Sequence, residues 1–244
     1  MIFQRRRRLY LLWVATSSAL VVQCAAVLKV ASNCGNVQIL SNELTAQEAE
    51  DYCRYAVSER RKVETFWGST WKERIQIHVA SSYRAAGSLV ANQGQPGWIQ
   101  MPLSRVNSGA LLHEIVHNYA PNNNRFFQEG LAVYLQDKIG GNPAFPIFGE
   151  NLHVLARDGL STVTSLRSLN SVRFPRRLGT VMHERTAYIL AGSFVGFLIE
   201  KYGLPKFKNL YETESYDRVY GKSLEILERE WRSSIQEKIK AQRS

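Results

Sequence analysis

The sequence predicts an α+β fold in which a small mixed sheet near the start of the chain precedes a mostly helical remainder. Three observations lead to this prediction. A helical pattern over residues 44–66 is followed by two short strand-like segments, and the regular segments after residue 105 have helical periodicity. The chain has 244 residues, 45% of them hydrophobic, a length that suits one domain or two small lobes.

Residues 1–28 are predicted to be a signal peptide or an N-terminal membrane anchor. Arg5 to Arg8 precede twenty uncharged residues, 9–28, and basic residues before an apolar stretch are typical of export signals. A stretch of about 20 residues is also long enough to cross a bilayer. Either outcome places the remainder, 29–244, outside the cytoplasm, secreted or anchored to the membrane. Lipid attachment at Cys24 and a buried core helix are the alternatives.

The net charge of +10 does not by itself indicate a nucleic-acid partner. Without the four N-terminal arginines the chain keeps 27 basic and 21 acidic residues, a net charge of +6. These basic residues are scattered, which is typical of a solvated surface. We therefore expect no nucleic-acid partner, and binding to anionic lipid or cell wall stays an alternative.

Two cysteines, Cys34 and Cys53, remain once Cys24 is assigned to the leader. In an exported domain such a pair can form a disulfide, which would tie the start of the mature chain to its first helix. Two unpaired thiols are the alternative.

The strands are predicted in a first lobe of about residues 29–120. The helix of residues 44–66 starts with a capping-box pattern, Thr45 and Glu48. Residues 74–80 alternate apolar and polar side chains as a half-buried strand does. Residues 98–101 resemble a second strand, which is either an ordinary hairpin strand or an edge against which an extended peptide lies.

The helices are predicted mainly in a second lobe of about residues 121–244. The helix predicted over 105–119 belongs to the first lobe with the sheet, and it stops at Pro121 and three asparagines. Glycine and proline then separate the later helices. These are predicted at 125–139, 150–158 and 184–202, with two further helices within 205–241.

The segment that indicates chemistry is His113-Glu114-Ile115-Val116-His117. Residues i and i+4 share one helix face, so both imidazoles can bind one metal ion. Glu114 then lies beside the open position of the metal, where it can act as the general base. The alternative is an amphipathic helix with two ordinary histidines. Apolar neighbours argue against it, because buried polar groups need partners and a metal ion provides one.

Glu129 is the candidate third ligand. The turn at Pro121 and Asn122 to Asn124 predicts that the next helix returns antiparallel, which would bring Glu129 to face the histidine pair. Zinc sites in hydrolases use three protein ligands and keep a fourth position open. The alternative is an exposed first-turn glutamate that is favoured by the helix dipole.

The ordered set HEIVH, FFQEGLAVYLQ and AYILAGSFVGFLIEKYG resembles the peptidase MA-like group of gluzincin metallopeptidases over roughly residues 70–210. The gap between the second histidine and the glutamate is shorter than in the best-known gluzincins and fits this smaller group. The resemblance implies a zincin-like fold with two lobes and Zn²⁺ in the cleft between them. It implies His113, His117 and Glu129 as zinc ligands.

Gluzincins stabilise the oxyanion of the reaction with a Tyr or His from the helical lobe, so the resemblance implies such a residue here. Tyr188 is the candidate, and His183 is the alternative. Tyr188 could also be a core aromatic at helical spacing with Leu190 and Phe194.

These observations predict a zinc metallopeptidase of the gluzincin type that acts outside the cytoplasm. The expected partners are a peptide or protein substrate and, if the leader is uncleaved, a membrane. The alternative is a membrane-anchored binding or assembly module that retains a zincin fold without proteolysis.

Overall fold

The computed structural model describes residues 28–81, 97–106, 111–141 and 143–241. The leader predicted for residues 1–28 therefore lies outside the described residues, apart from Leu28. None of the helices in the described ranges is long and apolar enough to cross a membrane. Within these ranges the chain forms β1 (Val30–Cys34), β2 (Val37–Leu40), α1 (Ala46–Trp67), β3 (Ile75–Ala80), β4 (Trp98–Pro102), α2 (Leu111–Tyr119), α3 (Arg125–Ile139), α4 (Leu152–Leu160), α5 (Arg167–Asn170), α6 (Glu184–Tyr202), α7 (Leu204–Thr213), α8 (Tyr216–Tyr220) and α9 (Leu224–Ala241).

The strands form one mixed sheet in the order β1-β2-β3-β4. β1 and β2 pair antiparallel, whereas β2, β3 and β4 pair in parallel. This small mixed sheet, followed by helices, confirms the predicted α+β class. The β1–β2 hairpin was not predicted, because its strands have only 5 and 4 residues. Its turn contains Gly35 with a φ of +64°, a conformation that glycine adopts without strain.

Helix α1 packs over the strands and is joined to them covalently. It begins as predicted, since the Thr45 side chain and the Glu48 side chain form a reciprocal capping box. A disulfide links Cys34 in β1 to Cys53 in α1, with a Cα–Cα distance of 6.0 Å. The link that the sequence allowed between the start of the domain and its first helix is therefore present.

Two helix predictions need correction. The helix predicted from residue 105 begins at Leu111 in the described residues, and Leu103–Arg105 form a short 3-10 turn after Pro102. The segment 205–241 contains three helices rather than two, because the chain turns at Glu214 and Gly221 with positive φ. Helix α5 was also not predicted. The division into lobes at 29–120 and 121–244 stays a prediction.

Helices α3 and α6 pack unusually closely, and glycine makes the approach possible. A Cβ atom at Gly130 would lie 2.6 Å from Val195 Cγ2 and 2.7 Å from the Ala191 carbonyl oxygen. The helices also meet at Gly192 and Gly196, where an added Cβ would contact Val133 and Tyr134. Small residues allow two helix backbones to approach each other, and the buried α6 fills the centre of the core.

We expect Gly192→Ala to destabilise the protein by about 1–3 kcal/mol, the usual cost of overpacking a core. The added Cβ would lie 2.5 Å from Val133 Cγ1. Chemical denaturation measures the free energy of unfolding. Gly141→Ala is the control, because a Cβ there meets no atom within 4 Å. Equal stability of the two variants would contradict the packing described here.

A polar cluster around His153 joins α4, α6 and α9. Lys238 Nζ donates to His153 Nε2 at 2.9 Å, and His153 Nδ1 lies 3.4 Å from Ser193 Oγ. Because a lysine ammonium can only donate, His153 is neutral in the fold. Glu200 from α6 and Asp137 and Lys138 from α3 complete the charged surroundings. Burial, and then the charge of Lys238, lower the pKa of His153.

This cluster predicts a loss of stability in acid. The unfolded chain binds the proton of His153 near its ordinary pKa, about 6.5, whereas the folded chain binds it only at lower pH. The contribution of neutral His153 to stability is therefore fully present above the unfolded-state pKa of about 6.5. It is lost as the pH falls from there through the lower pKa of His153 in the folded chain. We expect His153→Gln to lose less stability than the wild type between about pH 7.5 and about pH 5.5. Denaturation at both pH values tests this, and identical losses would contradict it.

Candidate metal centre

Helix α2 presents His113 and His117 on one buried face. The two residues are one turn apart, so their rings point in the same direction, and their centroids lie 4.7 Å apart. The side chains are 6% and 1% exposed. Apolar residues on the same helix, Leu112, Ile115 and Val116, are buried around them. The helix therefore carries two imidazoles into the interior of the protein.

Helix α3 supplies the third residue, Glu129. Asn124 caps this helix by accepting hydrogen bonds from the backbone N–H groups of Phe126 and Phe127, which fixes where its first turns lie. Glu129 Oε2 lies 3.1 Å from Nε2 of His113 and 3.1 Å from Nε2 of His117. Its other oxygen, Oε1, accepts a hydrogen bond from Arg125. One carboxylate oxygen thus faces both imidazoles.

These three side chains fit a metal ion. Their ligand atoms all lie within 4.8 Å of one another. Ligand atoms at about 2.0–2.1 Å from a tetrahedral ion lie about 3.3–3.4 Å from each other, close to the two nitrogen–oxygen distances of 3.1 Å found here. Among the described residues Nδ1 of His117 has no hydrogen-bond partner, and Nε2 lies 3.1 Å from Glu129 Oε2 without forming a hydrogen bond. Buried polar atoms of this kind indicate that a further partner belongs there.

Gln136 fixes the protonation of His113. Its amide nitrogen donates to the carbonyl oxygens of Ala144 and Phe145, both at 3.1 Å. The amide oxygen must therefore face His113 Nδ1, at 3.2 Å. Nδ1 therefore carries a proton, which leaves Nε2, the nitrogen that faces Glu129, as the one available to a metal ion.

Positive charge is favoured where the three residues meet. Although burial opposes ionisation, the charge of His117 and the hydrogen bond from His113 hold the pKa of Glu129 well below its usual range. Burial also opposes charge on His113, but hydrogen bonding to Glu129 and the charge of Glu114 raise the pKa of His113. A metal cation bound by the three side chains would supply this positive charge in place of a proton.

Glu114 is beside this group but is not part of it. Its side chain is half-buried, and its Oε2 atom is enclosed without a hydrogen-bond partner among the described residues. Burial raises the pKa of Glu114, and the neighbouring imidazoles of His113 and His117 oppose the rise. An unpaired carboxylate oxygen next to three convergent ligand atoms is available to a water molecule or a substrate.

The structure separates the two candidates for the oxyanion-stabilising residue. Tyr188 in α6 is 9% exposed, and its ring stacks on His113 at a centroid distance of 6.4 Å. Burial and then the charge of Glu129 raise the pKa of Tyr188, so the phenol keeps its proton. His183 is exposed at the N-cap of the same helix. Tyr188 therefore lies at the candidate metal centre, where its ring also belongs to the core.

Two supporting residues, Arg125 and Gln136, were not identified from the sequence. They lie four residues before and seven residues after Glu129, spacings that place all three on one side of α3. That periodicity was the available signal. The orientation of Gln136 depends on the loop after α3, which folds back so that Ala144 and Phe145 meet Gln136.

We expect Gln136→Leu to weaken metal binding by about 10–100-fold, the usual effect of removing a residue that orients a metal ligand. Competition with a chromophoric chelator, with Zn²⁺ as the probe ion, measures the affinity. Arg185→Met is the control, because Arg185 Nε donates to Pro146 O at 2.8 Å and holds the same loop without touching His113. An equal loss in both variants would assign the effect to the loop and not to His113.

Comparisons with known proteins return no relative. No protein-family model, no curated protein and no solved structure matches this chain.

Proposed function

We propose that this protein is a zinc metallopeptidase of the gluzincin type with a zincin-like fold. The observation that carries the proposal is the convergence of His113, His117 and Glu129. One oxygen of Glu129 lies 3.1 Å from Nε2 of each histidine. Two imidazoles and a carboxylate are a ligand set of catalytic zinc sites, which keep another position open for water. Glu114, with an unpaired carboxylate oxygen close to these ligands, would distinguish a catalytic from a purely structural site.

Each residue of the site has a defined part in peptide hydrolysis. Zinc, when bound, polarises the scissile carbonyl and lowers the pKa of water towards about 7. Glu114 accepts a proton from the attacking water and passes it to the leaving amine. Tyr188 donates a hydrogen bond to the oxyanion. Arg125 orients Glu129 through the oxygen that does not face the histidines, and Gln136 orients His113 through Nδ1.

Strand β4 is the proposed binding edge for the peptide backbone. It pairs with β3 on one side and is the last strand of the sheet in the described part of the chain. Asn118 of α2 joins this strand to the site helix, since it accepts from Gly97 N at 3.0 Å and donates to Trp98 O at 3.3 Å. An extended peptide can add to such an edge through backbone hydrogen bonds.

The test is metal analysis of the purified protein together with hydrolysis of a mixed peptide library. We expect about one zinc per chain and cleavage that a chelator stops and added Zn²⁺ restores. Zinc binding without cleavage of any peptide would instead favour a non-proteolytic binding module. Cleavage that is insensitive to the chelator would contradict the proposal.

A further inference from the structure

The loop between α3 and α4 carries two exposed aromatic side chains in its described residues 143–151. Phe145 is 38% exposed and Phe148 is 53% exposed. Their rings meet edge to face with centroids 6.1 Å apart, an arrangement that aromatic pairs favour. Of the phenylalanines in the described residues only Phe174 is also exposed to this degree, at 52%.

A continuous series of ring contacts connects this aromatic pair to the candidate metal centre. The Phe145 ring lies 5.5 Å from the Tyr188 ring, edge to face, and Tyr188 stacks on His113. The carbonyl of Phe145 accepts from Gln136, which also contacts His113. The two phenylalanines therefore border the place where we propose that a peptide bond is cleaved.

The surrounding structure holds the aromatic pair outward. Ile147 anchors the loop in the core. Arg185 donates to Pro146 O at 2.8 Å and to Glu150 at 2.7 Å, and its guanidinium lies 5.3 Å from the Phe148 ring centroid. Phe148 has a φ of +51°, which is uncommon for a bulky residue and often retained where function requires it. A fixed, exposed aromatic surface beside a candidate metal centre is suited to binding another apolar group.

We propose that Phe145 and Phe148 form a subsite for a large apolar side chain of the substrate, aromatic or aliphatic, close to the scissile bond. This inference rests on the proposed peptidase function. Contact with the two rings removes apolar surface from water on both sides. The polypeptide substrates bound best would therefore carry Phe, Leu or a similar residue at one fixed position relative to the cleaved bond.

Binding and cleavage are measured separately, so that the subsite and the peptidase function can fail independently. Fluorescent peptides that differ only by Phe or Gly at one scanned position are titrated into zinc-loaded Glu114→Gln protein, and anisotropy gives the affinity. We expect the Phe peptide to bind about tenfold more tightly at one position, as an aromatic contact of this size allows. Phe148→Ala in the same background should remove most of that difference.

Phe174→Ala is the matched control, because Phe174 is as exposed as Phe148 and precedes a proline as Phe145 does. It should keep the full preference. Phe145→Ala provides a second variant, and circular dichroism confirms that each variant is folded. Loss of the preference in Phe145→Ala and Phe148→Ala but not in Phe174→Ala supports the subsite. Equal behaviour of all three variants overturns it.

Cleavage of a peptide library supplies the second measurement. Wild-type protein should favour apolar residues at the position found by binding. Phe148→Ala should lose that preference, whereas Phe174→Ala should keep it. Cleavage without any apolar preference overturns the subsite and leaves the peptidase function standing. An apolar preference in binding without any cleavage keeps the subsite as a peptide-binding surface and overturns the peptidase function.

Discussion

Glu114→Gln is expected to lower peptide turnover by about 10²–10⁴-fold, the usual contribution of a general base. The amide has nearly the same shape as the carboxylate but cannot take a proton from water. Because Glu114 is not one of the three convergent ligands, the variant should bind zinc as the wild type does. Initial rates on the best library peptide and zinc content per chain measure the two effects.

Glu59→Gln is the matched control for this experiment. Glu59 is a buried glutamate, 2% exposed, and like Glu114 it has one carboxylate oxygen that lacks a hydrogen-bond partner in the described residues. It belongs to α1 and pairs with Lys62, away from the ligand set. Turnover should be unchanged. A Glu114→Gln protein as active as the Glu59→Gln protein would show that the proton goes elsewhere.

His117→Ala is expected to abolish stoichiometric zinc binding and turnover together. His117 is almost completely buried, and both of its ring nitrogens lack hydrogen bonds within the described chain. Removing it leaves only two convergent ligands, so the loss should exceed the roughly 10–100-fold effect expected for a supporting residue. Elemental analysis after dialysis measures the zinc content. Added Zn²⁺ should also raise the melting temperature of the wild type but not of the variant.

His153→Gln is the control for metal loss. His153 is occupied by Lys238 and Ser193 in a separate cluster, so its replacement should leave zinc binding unchanged. If His117→Ala retained one zinc with wild-type affinity, the ligand set proposed here would be wrong.

The parts of the structure that depend on short-range pattern were predictable from the sequence. α6 has the predicted bounds of 184–202, and α3 has those of 125–139. The capping pair of α1 and the shared face of His113 and His117 likewise follow from spacing along one helix. The prediction that Glu129 faces the histidines required one tertiary assumption, namely that α3 returns towards α2. The observed distances from Glu129 to the two imidazoles agree with that assumption.

The parts that depend on long-range packing were not predictable. Strands β1 and β2 are short. β1 pairs with β2, and β2 pairs with β3, which follows helix α1 in the chain. The role of Gln136 arises only because Ala144 and Phe145 fold back onto it. No local periodicity specifies such contacts, because they are set by how separate segments pack.

The close contact at Gly130 couples the metal centre to a helix that supplies no ligand. Glu129 and Gly130 are neighbours in the chain, so the residue that faces the imidazoles is joined to one that touches Val195 and Ala191 of α6. Tyr188 lies on that same helix. Any change in volume between α3 and α6 therefore moves the carboxylate and the phenol relative to each other. The geometry of this centre can be adjusted by substitutions in α6 that never meet the ion, the water or the substrate.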